Sequence, residues 1–137
     1  MRILIAIPRQ DRATGNHVTG ERFRRGLERH GHRVALVECA PEDLGLAAAV
    51  AAFRPQLALL LHAWRSGCPW LALPPHLAVP GVVLLSGTDL NRDLFDPQRR
   101  EDVEAVLSQA AAVVTQNRLT AETLRRERPQ LASRLYH

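Results

Sequence analysis

The chain has 137 residues, 46% of them apolar and 4% aromatic, with a formal charge of +4. That length suits one ordinary domain with a real core, and no run of 18 or more apolar residues is present to span a bilayer. All 18 basic residues are Arg and alternate with Glu along helical stretches, which argues against a nucleic-acid stripe interleaved with aromatics.

The absence of Lys and the abundance of Ala fit the codon bias of a GC-rich genome, so the basic balance is weak as a functional signal. The start, "MRILIAIPRQ", has an apolar run but no small-residue cleavage site behind it. It reads as a strand, not a signal peptide. Cys39 and Cys68 lie 29 residues apart and fit free thiols of a cytoplasmic protein.

The apolar run at 3–7 is bounded by Pro8 and predicts a buried strand. Thr14, Asn16 or Thr19 can cap a helix running to about residue 30, where Gly31 ends it. Thr19, Phe23 and Leu27 share one face of that helix, expected inward, while Arg22, Arg25 and Arg29 form a solvated face. A second strand is expected at 34–37. The Ala-rich stretch 41–53 predicts a helix capped from 41–43, with Leu46, Val50 and Phe53 inward. A third strand follows at 57–61 and a short helix at 65–73. After a proline-rich connection comes a fourth strand at 82–85, ending in "SGTDLNRD". "RREDVEAVLSQA" predicts a helix with Val103, Val106, Leu107 and Ala110 inward. A fifth strand is expected at 112–114, then a helix from 117 with Leu119, Thr123 and Leu124 inward. Residues 133–136 read as the start of a further element.

Five apolar strands alternate with helices, and none shows the in/out pattern of a half-exposed antiparallel strand. A parallel sheet covered on both faces is expected, in a single domain over 1–137, with order 2-1-3-4-5. Ligands of such sheets sit beyond the carboxyl ends of the strands, where the strand order reverses. The loops there carry the polar, small and charged residues of the chain.

Gly15 and Gly20 have the G-x-x-x-x-G spacing of a phosphate loop, but Glu21 and Arg22 stand where Lys and Ser or Thr are required. A Walker site is excluded, and so is a phospho-aspartate receiver, which also needs a Lys. No G-x-G-x-x-G occurs. Gly20 falls inside the helix. The turn Thr14-Gly15-Asn16, with Thr19 behind it, leaves backbone N–H groups at a helix start, where an anion or sugar is favoured. Its alternative role is a tight turn before a capped helix.

His62 ends the third strand and can donate to a hydroxyl or act as a base near neutral pH; a structural histidine is the alternative. Arg65 and Ser66 follow in the same loop. Gly87, Thr88 and Asp89 end the fourth strand, where Asp89 can accept from hydroxyls or cap a turn. Arg92 and Asp93 can pair with each other. Trp64 and Trp70 line a pocket or cover the sheet. His30 and His32 sit at a turn on the opposite edge, and no metal-ligand spacing exists, so no metal is expected.

The segments "TGNHVTGERFRRGLERHGHRVALVE", "LALLLHAWRS", "VVLLSGTDLNRDL" and "AAAVVTQNRLTAETL" together resemble, in order, the amino-terminal half of glycosyltransferase family 4 proteins. The likeness covers nearly the whole chain and is closest to the branch that includes selenosugar synthases. Ser86 replaces a Thr of that pattern. The resemblance implies a GT-B architecture of two Rossmann-like domains, of which this chain is the acceptor-side, three-layer α/β/α half. It implies metal-free transfer from a UDP-sugar, as substrate and not cofactor, to a small anion such as selenophosphate. Carried over by motif, the acceptor or anion positions are Thr14, Gly15, Asn16, Thr19, Arg65, Ser66, Gly87, Thr88 and Arg92, with His62 and Asp89 in base or hydrogen-bonding roles. The donor-binding half is expected to be absent, so the chain is expected to be inactive alone and to pair with a separate donor domain or with itself. Two rivals remain: a flavodoxin-like small-ligand module with Trp64 stacked on a flavin, and a non-catalytic interaction domain.

Overall fold

A computed structural model describes residues 1–9, 15–42 and 44–137 of the chain. Six strands form one all-parallel sheet in the order β2-β1-β3-β4-β5-β6. They are β1 (Arg2–Pro8), β2 (Arg33–Cys39), β3 (Leu57–Leu60), β4 (Gly81–Leu84), β5 (Ala112–Val114) and β6 (Leu135–Tyr136). The helices between them are α1 (Gly15–Arg29), α2 (Gly45–Phe53), α3 (Gly67–Leu71), α4 (Arg100–Gln109) and α5 (Arg118–Glu127). Each connection crosses from one parallel strand to another, as a sheet of this kind requires. The sixth strand adds to the five expected. It pairs only Leu135 and Tyr136 with β5, too short a stretch to leave a period in the sequence.

Leu4, Ala6, Leu60, Val83 and Val113 project from one face of the sheet into the main core. Leu46 and Val50 of α2, Trp70 of α3, Val103 and Val106 of α4, and Ala121 and Leu124 of α5 meet them there. Each such aliphatic side chain contributes about 1.5–3 kcal/mol when fully buried. The other face carries a smaller core of Ile5, Ile7, Leu61 and Leu84. Of the five helices, α1 alone packs on this side, over β1 and β2.

The inward residue of α1 differs from the expectation. Gly20 is buried, and a methyl group added there would lie 2.9 Å from Ile7 Cγ2 and 3.0 Å from Leu36 Cδ1. The missing side chain lets the helix backbone settle on the sheet. The contact line therefore runs through Gly20 and Leu27, and Phe23 is left 38% exposed at the flank. In α5 the inward residues are Ala121 and Leu124, while Leu119, expected inward, is 73% exposed. Asn117 caps that helix by accepting a hydrogen bond from the Thr120 amide at 2.9 Å. Val103, Val106, Leu107 and Ala110 are buried as expected.

Candidate functional site

The carboxyl ends of β1, β3 and β4 are neighbours in the sheet, so the segments that follow them share one rim. After β1, Gly15 opens α1 and is exposed, with Asn16 and Thr19 half-buried. Thr14 lies outside the described residues. After β3, the chain folds back on itself: the Ser66 and Gly67 amides both donate to the His62 carbonyl, at 3.2 and 3.1 Å. Arg65 at the crest of this turn is half-buried and Ser66 is buried. After β4, Gly87 and Thr88 are exposed. A π-helical turn, Asp89–Asp93, follows where a loop was expected, with Arg92 exposed upon it. The wider turn aligns two carboxylates, Asp89 and Asp93, inward beneath the rim.

Beneath the accessible groups lies a buried polar cluster. His62 is 2% exposed, and Asp89 and Asp93 are fully covered. The Asp89 Oδ2 oxygen accepts the Ala63 amide at 3.0 Å, tying the end of β3 to the π-turn. Ser86 Oγ stands 3.5 Å from the other Asp89 oxygen. The Arg65 amide donates to His62 Nδ1 at 3.2 Å. That nitrogen must therefore be unprotonated, so the neutral ring carries its proton on Nε2, 3.4 Å from Asp93 Oδ2. Asp93 in turn receives Arg99 at 2.9 Å, and the Arg99 guanidinium lies over the Trp64 ring, 4.1 Å from its centroid. The Trp64 indole N–H donates to Asp102 at 3.3 Å.

Burial pushes His62 down to about 4; Asp93 opposes that change, while Arg65 and Arg99 add to it. Burial pushes Asp89 up to about 7, against the hydrogen bond from Ala63. Both residues were expected to serve as a base or hydrogen-bonding group beside a sugar. The basic nitrogen of His62 is already occupied by the Arg65 amide, and neither side chain reaches solvent. Their visible work is to hold the rim turns in place. Cys68 is pushed up to about 12 by burial and by Asp102 and Asp93, which makes it an inert thiol.

The structure thus brings Gly15, Asn16, Arg65, Gly87, Thr88 and Arg92 to the rim, and sets His62, Ser66 and Asp89 below it. Asp93 pairs with Arg99, not with its neighbour Arg92, and lies beside His62, whose Nε2 and the facing Asp93 Oδ2 have no hydrogen-bond partner among the described residues. Arg99 carried no signal of its own. The spacing of Asp89 and Asp93 could have pointed to both, because four residues on a helical turn put two carboxylates on one side. Trp64 has one ring face covered by Arg99. Among the described residues no cluster of His, Cys, Asp and Glu could hold a metal ion, and no helix is long and apolar enough to cross a membrane.

The fold and its rim define a Rossmann-like α/β protein, with a parallel sheet and polar groups gathered at the carboxyl ends of its central strands. No protein-family model matches the chain, and a search of the curated proteins finds no match.

Proposed function

We propose that this chain is the acceptor-side half of a glycosyltransferase, holding a small anionic acceptor while a separate donor-binding domain supplies a UDP-sugar. The observation that carries the reading is the composition of the rim. Among the described residues its accessible groups include a helix start, the Thr88 hydroxyl and two arginines, Arg65 and Arg92, whereas the carboxylates Asp89 and Asp93 after β4 are buried. Such a surface favours an anion. The resemblance to family 4 glycosyltransferases names the reaction: transfer without a metal, in the cytoplasm, to an acceptor of selenophosphate type. In this reading His62 and Asp89 are positioning residues that fix the two turns bearing Arg65, Gly87 and Thr88.

Calorimetric titration of the purified chain with selenophosphate, and with inorganic phosphate as its analogue, tests the reading. Saturable binding is expected, weakened about tenfold by Arg65→Ala or Arg92→Ala through loss of one charge-assisted hydrogen bond. No heat with either anion would overturn the acceptor role. Turnover of UDP-N-acetylglucosamine by the chain alone would overturn the division of labour.

A further inference from the structure

Among the described residues three buried side-chain atoms have no hydrogen-bond partner: His62 Nε2, Ser66 Oγ and Asp93 Oδ2. All three lie in the two turns beneath the rim, His62 and Ser66 after β3 and Asp93 after β4. Burying a polar group without a partner is costly, and folded proteins keep few such groups. Here two of them face each other. His62 Nε2, which carries the proton of the neutral ring, stands 3.4 Å from Asp93 Oδ2. An N–H that donates to a carboxylate settles closer, at about 2.7–2.9 Å in the charge-assisted case. The pair is short of a bond by roughly half an ångström.

The bonds that each residue already makes hold the two apart. The Arg65 amide fixes the imidazole from its Nδ1 side at 3.2 Å, and the Ser66 and Gly67 amides fix the His62 carbonyl. Arg99 draws the other Asp93 oxygen at 2.9 Å. Among the described residues the two turns share one hydrogen bond, from the Ala63 amide to Asp89 Oδ2 at 3.0 Å. That bond can act as a pivot, with Asp93 one turn further along. The rim arginines adjoin the open contact from both sides. The Arg65 main chain is bonded to the His62 ring, and Arg92 directly precedes Asp93. Neither arginine makes an ion pair among the described residues. An anion contacted by both would draw the two turns together, and the movement required is small.

We propose that His62 and Asp93 form an open latch, which an anion bound between Arg65 and Arg92 closes into a hydrogen bond. Part of the affinity for the anion then comes from a bond that the anion never touches. Both residues are positioning residues whose contact reports occupancy of the rim. A ligand shifts a two-state element only by binding one state better. Here the difference is the second arginine, which the anion reaches with the first only when the turns are close. The inference rests on the acceptor reading of the rim.

The test titrates the isotopically labelled full chain with inorganic phosphate at about pH 6, where burial keeps His62 neutral. Magnetic resonance follows the proton on His62 Nε2, assigned by its loss in His62→Gln, and calorimetry follows binding in the same samples. The resonance is expected to move downfield in step with saturation. Asp93→Asn offers a single oxygen, which Arg99 claims, so an amide group is left facing the imidazole N–H. That variant, shown by its melting curve to be folded, should bind phosphate about tenfold more weakly, with the resonance unmoved by saturating phosphate. Binding heat with a stationary wild-type resonance would overturn the latch and leave the acceptor reading standing. No heat at all would overturn both. A resonance already downfield in the free chain, or unchanged affinity in Asp93→Asn, would also overturn the latch.

Discussion

The Nε2 nitrogen of His62 stands 3.4 Å from the Oδ2 oxygen of Asp93, both side chains sealed from solvent. The contact joins the end of β3 to the π-turn after β4, and Arg99 extends it to the start of α4. Two consecutive β/α units, β3–α3 and β4–α4, are thereby held together at the rim. Removing one member leaves the others buried without their partners, which is the costly way to break such a cluster.

The first consequence is for pH dependence. Unfolding changes the protonation of two groups in opposite directions. Asp89 is raised to about 7, so its contribution is fully present below its unfolded value near 3.8 and is lost as the pH rises toward 7. His62 is lowered to about 4, so its contribution is present above its unfolded value near 6.5 and is lost as the pH falls toward 4. Between about pH 4 and 6.5 the two cancel: folding moves one proton off the imidazole and one onto the carboxylate. The wild type should show a flat profile from this pair. Asp89→Asn should leave stability rising with pH across that window, and His62→Asn should leave it falling, each with a slope approaching ~1.4 kcal/mol per pH unit. Urea unfolding at pH 4.5, 5.5 and 6.5 reads the slopes; equal slopes in both variants would refute the proton exchange.

Arg99 supplies the positive charge facing Asp93. Arg99→Met should destabilise the fold by about 2–4 kcal/mol, toward the low end because the arginine side chain is itself 26% exposed. The double variant Arg99→Met with Asp93→Asn should recover part of that loss. Arg99→Lys keeps the charge but loses the flat contact on Trp64, and should fall between. Denaturant midpoints of the wild type, Arg99→Met, Asp93→Asn and the double variant form the cycle, and strict additivity would mean that the two residues act independently.

Gly67 holds the turn after β3 against α4. A methyl group there would sit 2.5 Å from Val106 Cγ1, inside van der Waals contact. Gly67→Ala should cost about 1–3 kcal/mol by overpacking. Val106→Ala opens the space, so the pair should be less destabilised than the sum of the two single changes. Thermal unfolding measures it, and a sum equal to the parts would contradict the contact.

Asn117 accepts the Thr120 amide at the head of α5. Asn117→Ala should lose about 1 kcal/mol, whereas Asn117→Asp, which keeps the oxygen, should lose little. The difference between the two melting temperatures is the quantity to compare.

The sheet was readable because its strands are written as unbroken apolar runs, and the helices between them carry most of their inward residues at helical spacing. Leu4 and Ile5, Leu60, and Val83 and Val113 announce themselves in this way. His62 and Asp89 were legible as polar residues at strand ends, but their depth was not. An imidazole at the tip of a strand reads alike whether it faces water or a carboxylate brought in from another unit. Asp93 and Arg99 stayed hidden for the same reason, since Asp93 meets a histidine 31 residues earlier in the chain. Phe23 is left at the flank of α1 and Leu119 is exposed on α5 because the small residues Gly20 and Ala121, which carry little hydrophobic signal, are the buried ones.

Local chemistry determined the elements: apolar runs, capping residues and glycine turns act within a few residues, and the α/β alternation with a parallel sheet follows from them. The tertiary structure decided which side chains the folding conceals. It buried the chemically richest pair beneath the rim, left Arg65, Thr88 and Arg92 as its accessible edge, and gave one sheet face only a single helix. Those outcomes depend on desolvation and on distances between residues far apart in the chain, and neither is encoded at any one position.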